Sequence, residues 1–315
     1  SLDMINRAGS GHSGIVMSAA PLIYTIYAKH MNLNPRDPNW LNRDRLVLSA
    51  GHGSALLYAT LHMAGMDITM EDLQNFRRYG YKTPGHPEIG VTPGVDASSG
   101  ALGEGLATAV GLALAEKMLE ARFKVGEKPH SLFNYRVYCL ASDGDLMEGV
   151  AYEAASFAAN NGLNNLIVLY DSNNVTLDGN KKQTFTENVS ERFRAMGWHV
   201  EFVKDGNSVS EINEAINKCK QAIRPGFIQV VTTIGQDTEL SGSNLAHGHV
   251  FSIDDIKKIK AKLGVPAEPF YESELAVNAF KEAIRTRSDK KYDQWAKDYK
   301  EYIENRKDFD ISELK

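Results

Sequence analysis

Cysteine is nearly missing from this chain: two residues in 315, Cys139 and Cys219. Cys139 sits in the apolar run 135–141 and reads as a buried strand residue; Cys219 lies between Lys218 and Lys220 in a helix-like stretch. The pair makes neither a disulfide framework nor a metal-ligand spacing, so a reducing, cytoplasmic setting is expected. Long hydrophobic runs are missing too, and no apolar stretch reaches the ~20 residues that would cross a bilayer. The opening Ser1-Leu2-Asp3-Met4 lacks the basic and apolar regions of a secretion signal. It also lacks an initiator methionine, which suggests that leading residues precede it. Nor is there a surplus of positive charge. Lys and Arg number 35 against 40 Asp and Glu, a net charge of −5, which excludes the basic field of a nucleic-acid binder. The short runs Lys181-Lys182 and Lys257-Lys258 read as solvated faces.

With 43% apolar and 24% charged residues, the chain has the composition of a soluble globular protein with a sizeable core. Apolar positions at helical spacing cover Ile15 to His30. Asn34-Pro-Arg-Asp-Pro38 breaks the chain, and Arg45 to Leu48 is a short strand that ends in a glycine-bearing turn before a helix from Ser54. Residues 80–105 form a long Gly/Pro-rich loop, of the kind that usually carries function. It leads into an alanine-rich helix, Leu106 to Leu119. Strands are then expected at Tyr135 to Ala141, Asn165 to Tyr170, His199 to Val203 and Phe227 to Thr233. Helices are expected at Met147 to Ala159, ending at Gly197, and at Val209 to Ile223. This alternation predicts an α/β fold: a mostly parallel sheet with helices on both faces. Ligands in such folds gather beyond the carboxyl ends of the strands. The expected division is an α/β domain over residues 1–255 and a charged helical extension over 256–315, with Trp295, Tyr299 and Tyr302 as an apolar stripe.

Two segments carry the chemistry. Ser142-Asp-Gly-Asp-Leu-Met-Glu-Gly149 leaves one strand, and Tyr170-Asp-Ser-Asn-Asn-Val-Thr-Leu-Asp-Gly179 leaves the next. Each alone reads as a plain turn. Together, with a helix between them, they place an Asp carboxylate (Asp143), an Asn oxygen (Asn173) and a backbone carbonyl, assigned to Val175, at neighbouring strand ends. These are hard oxygen donors suited to Mg²⁺, with a diphosphate supplying more. Gly144 lets the backbone turn, and the following helix would offer its free N–H groups to an anion.

Four of the nine histidines sit in glycine-bearing loops: Ser10-Gly-His12-Ser-Gly14, Gly51-His52-Gly-Ser54, Lys82-Thr-Pro-Gly-His86-Pro-Glu88 and Ala246-His247-Gly248. A lone loop histidine is more often a solvated surface residue. Four of them near glycines point to close approach of a ligand and to proton transfer near neutral pH. His30, His62, His130, His199 and His249 read as structural or surface residues.

The first pair of segments resembles the thiamine-diphosphate motif that runs from Gly-Asp-Gly to Asn-Asn, with Ser142 in place of the first Gly. Leu146 to Ala154 is similar to the transketolase version of that motif, as are Arg43 to Ser54 and Lys82 to Glu88. The resemblance implies that Asp143, Asn173 and Val175 hold Mg²⁺, a role Ca²⁺ or Mn²⁺ could fill. It implies that Gly144 lies against the diphosphate and Glu148 at a subunit interface. Ser99-Gly-Ala-Leu-Gly-Glu-Gly-Leu106 resembles the loop in which Gly100 and Leu102 hold the middle of the cofactor, with Ala101 and Glu104 replacing Pro and Gln. His12, His86 and His247 would line the substrate channel, and His52 and His247 would approach the diphosphate. Ser13, Gly80-Tyr81 and the stretch Gln236 to Leu245 depart from the family pattern, which bears on sugar preference and loop closure.

Transketolases move a two-carbon ketol unit between sugar phosphates. They take the glutamate that activates the pyrimidine ring from a second α/β domain across a subunit interface. No such domain follows here. The chain is therefore expected to be a split subunit or a fragment, the linker-like tail from Tyr292 favouring the fragment, that works in a homodimer or heterotetramer with a complementary pyrimidine-binding partner. The alternative is a cofactor-binding or assembly module with no turnover of its own. A different thiamine enzyme is disfavoured by the Leu-Met-Glu-Gly run and the four histidines.

Overall fold

The computed structural model describes residues 1–124 and 131–305; His130 lies outside the described residues. Five strands form one wholly parallel sheet: β1 (Arg45–Leu48), β2 (Val137–Ser142), β3 (Leu166–Ser172), β4 (His199–Val203) and β5 (Gly226–Val231), in the order β1-β2-β3-β5-β4. Every residue of β2 and β3 is buried, which is why both read as unbroken apolar runs. The pleat sends alternate side chains to opposite faces. Val137, Cys139 and Ala141 join a core with the helices Glu104–Arg122, Gly149–Asn160 and Val189–Met196. Tyr138 and Leu140 join another with Ala20–Thr25, Ser54–Ala64 and Val209–Gln221. Alanines at 109, 113, 151, 155 and 158 let two of those helices lie close to the sheet.

Several boundaries differ from expectation. Residues 15–30 are not one helix but the helices Ser13–Ser18 and Ala20–Thr25 and a π-helical turn, Ile26–His30. Pro21 has no N–H to continue the first piece and opens the second. The helix expected from Met147 begins at Gly149, because a 3₁₀ turn, Asp145–Met147, intervenes. β3 runs two residues past Tyr170, through Asp171 and Ser172. Residues 253–262 form one further helix and Glu274–Asn305 another of 32 residues. The long helix packs back on the sheet domain: Phe280 and Ile284 enter one core and Tyr302 the other. Trp295 stacks on Tyr299 at 4.9 Å and donates its indole N–H to the carbonyl of Leu132. No described helix is long and apolar enough to cross a membrane.

Candidate functional site

β2 and β3 end level with each other, Ser142 beside Asp171. The residues just beyond them therefore meet. Asp143 is 1% exposed, and both its oxygens are engaged. Oδ2 accepts the backbone N–H groups of Asn173 (3.1 Å) and Asn174 (2.8 Å). Oδ1 accepts the Tyr170 hydroxyl and lies 2.9 Å from the Lys181 ammonium. Asn174 takes a left-handed φ of 62°, which Asn tolerates, and this turns its N–H back to Asp143. Asn173 Oδ1 accepts the N–H of Val175 at 3.0 Å, an Asx turn that fixes the amide. Asp143, Asn173 and Val175 thus come from two adjoining loops. Among the described residues no group of three or more His, Cys, Asp or Glu side chains could hold a metal. A divalent ion at this place would draw on one carboxylate, an amide oxygen, a main-chain carbonyl and the ligand's own oxygens, a donor set that fits Mg²⁺.

Lys181 corrects the sequence reading. It is not on a solvated face but 9% exposed, against Asp143 and the Tyr170 hydroxyl. Run composition cannot see a carboxylate 38 positions earlier in the chain, and that carboxylate draws the ammonium inward.

Asp145 and Asp171 are buried carboxylates at the same strand ends that pattern reading passed over. Asp145 accepts the Ser49 hydroxyl (2.7 Å) and the Gly103 N–H (2.9 Å) on one oxygen, and the Ser142 N–H (2.8 Å) and hydroxyl (2.9 Å) on the other. Burial raises its pKa while these four donors pull it down. One carboxylate so ties the end of β1, the end of β2 and the loop that opens the helix Glu104–Arg122. The signal was present as the second Asp of Ser142-Asp-Gly-Asp145. The same knot explains Gly105: a Cβ there would stand 2.4 Å from Ser49 Cα. Asp171, at the end of β3, accepts from Ser18 (3.0 Å), Thr232 and the Asn173 amide (3.3 Å), and burial lifts it to about 6.

The loop 99–106 runs between the strand-end turns and the histidines. A Cβ on Gly144 would meet Leu102 at 3.0 Å, and one on Gly100 would meet the His86 ring at 3.5 Å. Leu102 is exposed, as is Glu148, which precedes the helix Gly149–Asn160 without a side-chain cap bond.

The four loop histidines converge. The His12 ring centroid lies 5.0 Å from His52, 5.3 Å from His247 and 6.5 Å from His86, and His52 is 5.0 Å from His247. Their loops are bound together: the Ser13 hydroxyl donates to the carbonyls of Ala246 (3.2 Å) and His249 (2.7 Å), and the Gly235 N–H to that of Gly14 (3.1 Å). Val175, Ile234 and Ala246 form one small apolar cluster, which joins the Asn173 turn to the His247 loop. Burial first, then repulsion from the other imidazoles, lowers His12 to about 4 and His52 to about 3. Burial also lowers His86 and His247. At neutral pH the cluster is uncharged and can donate and accept hydrogen bonds to hydroxyls. His12 Nδ1 is buried with no partner, an atom left for a ligand. The remaining described histidines stand apart from this cluster. His30 is buried beside Lys220 Nζ (2.9 Å), His62 pairs with Glu272 (2.8 Å), His199 with Glu201 (2.9 Å), and His249 lies against Phe251.

Comparison with known proteins matches this arrangement. A family described as transketolase, thiamine diphosphate binding domain, covers residues 1–313. The probable transketolase of Streptococcus pneumoniae serotype 4 is 45% identical over 305 residues, 95% of this chain and 46% of that protein. The transketolase of Aquifex aeolicus is 45% identical over 304 residues, 96% of this chain and 44% of the relative. Among solved structures, transketolase from Leishmania mexicana superposes with a TM-score of 0.92 at 39% identity, covering 96% of this chain and 45% of that one. That from Campylobacter jejuni superposes at 0.89, also at 39% identity, covering 100% and 49%. The chain spans about half the length of the relatives it matches. By sequence and by fold, it belongs to the transketolase thiamine-diphosphate-binding domain family.

Proposed function

We propose that this chain supplies the diphosphate and Mg²⁺ half of an active site that transfers two-carbon ketol units between sugar phosphates. A complementary pyrimidine-binding domain or subunit completes that site, in a homodimer or heterotetramer. Asp143, Asn173 and the Val175 carbonyl would hold the ion together with the diphosphate. The exposed Leu102 and the Gly100 main chain would line the middle of the cofactor, with Gly144 beside its diphosphate. When bound, thiamine diphosphate supplies the electron sink for breaking the carbon–carbon bond. His12, His86 and His247 bind sugar hydroxyls and move protons at them, being neutral and able to do either at pH 7. His52 and His247 reach toward the diphosphate. Glu148 stands exposed where a second subunit would meet the chain.

The observation that carries this reading is the meeting of Asp143 and Asn173 at level strand ends. Titration calorimetry of thiamine diphosphate with and without Mg²⁺ tests it. Binding is expected to need the metal and to weaken at least about a hundredfold in Asp143→Ala. An unchanged affinity in the variant removes the assignment. Because the chain spans about half of its relatives, a second reading is a cofactor-binding module that does not turn over alone. Ketol transfer that appears only on adding the complementary domain favours the half-site; none in the mixture favours the module.

A further inference from the structure

The contacts of Lys181 go beyond the ion and cofactor reading, although they rest on it. The residue opens the 3₁₀ turn Lys181–Gln183, and its backbone N–H donates to the Asn174 carbonyl at 2.9 Å. That bond pins its Cα over the Asn173–Val175 turn. Its ammonium lies 2.9 Å from Asp143 Oδ1 and 3.0 Å from the Tyr170 hydroxyl. The hydroxyl donates to Asp143, so it accepts from the lysine. Asp143 thereby receives two donors on each oxygen, with no acceptor site left over. Lys181 is the cation of this arrangement. Asp171, a second acidic group that interacts with Asp143, takes Ser18, Thr232 and Asn173 and adds to the negative charge.

We propose that Lys181 is a resident cation of the strand-end site, a positioning residue that holds the Asp143 carboxylate while no divalent ion is bound and competes with such an ion for it. Mg²⁺ and Mn²⁺ need direct oxygen contact at about 2.1 Å. An ammonium already in contact with the same oxygen repels them at short range, where the surroundings screen little. The lysine stem is long and flexible, so the charge can withdraw when an ion arrives with its diphosphate. The site then exchanges one cation for another, and Asp143 is never left buried without one. Ion affinity is set lower than the oxygen donors alone would give.

The test measures Mn²⁺ binding to the full chain with thiamine diphosphate present, by electron paramagnetic resonance, for wild type, Lys181→Met, Lys181→Arg and Asp143→Ala. Lys181→Met is expected to bind Mn²⁺ about tenfold tighter or more, while Lys181→Arg stays near wild type because it keeps the charge. With metal chelated, Lys181→Met is expected to melt below wild type, and Mn²⁺ with thiamine diphosphate should raise its melting point by more. Equal or weaker Mn²⁺ binding by Lys181→Met, with binding lost in Asp143→Ala, overturns the competition and leaves the ion site standing. Mn²⁺ binding that Asp143→Ala does not change, or none by any form, overturns the ion site and the competition with it.

Discussion

The two ends of the sheet differ in which sign of charge prevails. At the amino end, Arg43 and Arg45 pair with Asp96, and Arg136 donates to the carbonyls of Asn164 and Lys220. Arg287, from the long last helix, donates to the carbonyls of Tyr27, Ala28 and Met31. At the carboxyl end stand Asp143, Asp145 and Asp171, largely bonded to N–H and O–H donors, with neutral histidines around them. Parallel strands favour this arrangement. Every crossover helix points its carbonyls toward the amino end of the sheet and its free N–H groups toward the other, which favours cations at the first and carboxylates at the second; Asp44 and Asp96 at the amino end and Lys181 at the carboxyl end stand against that bias, each bonded to a partner. A net charge of −5 conceals it. The lesson is that polar clusters at both ends serve the chain's own termini first. At the carboxyl end they also surround His12 Nδ1, which is buried without a partner.

The comparison can be broken most severely at Asp145. Asp145→Ala strands four donors around a buried space, and is expected to cost about 3–5 kcal/mol in urea unfolding, with loss of thiamine diphosphate binding. Arg287→Met is the counterpart at the amino end. Removing its hydrogen bonds to the carbonyls of Tyr27, Ala28 and Met31 should cost about 2–3 kcal/mol while leaving cofactor affinity unaltered. If it weakens cofactor binding as much as Asp145→Ala does, the two ends are not independent. The smallest effect is in pH. His12 and His52 fall from 6.5 to about 4 and about 3, so the folded chain binds fewer protons than the unfolded one in that window. Their contribution to stability is complete above pH 6.5 and is lost as the pH falls toward 4. Asp171, raised to about 6, acts in the opposite sense: its contribution is present below 3.8 and lost as the pH rises through 6. The melting point of wild type should fall on acidification from pH 6.5, and the fall should be shallower in the double variant His12→Gln/His52→Gln. His30, lowered to about 3 at the other end, keeps part of the slope in that variant.

Much of this was readable in the sequence, for definite reasons. β1 and β4 have the expected bounds, because turn residues flank short apolar runs. Asp143 and Asn173 were identifiable because each follows a strand, and adjacent parallel strands bring such residues together. Asp171 was not: a carboxylate after an apolar run looks like a strand end, yet here three donors keep it buried within β3. The start of the helix after β2 was misjudged by two residues, since only the bonds of Asp145 to Ser142 reveal the intervening turn. Lys181 was misread for the same reason. Periodicity reports which face a side chain takes, and a partner tens of residues away leaves no local trace.

Flush strand tips have a consequence for tolerance of insertions and deletions. β2 and β3 work as two rulers read against one zero mark, and each extra residue in either would advance its tip by about 3.3 Å. One-residue indels inside them should therefore separate Asp143 from Asn173 even if the fold survives. Length changes in the outer helix between the strands shift neither tip, so natural or engineered variation in spacing belongs there.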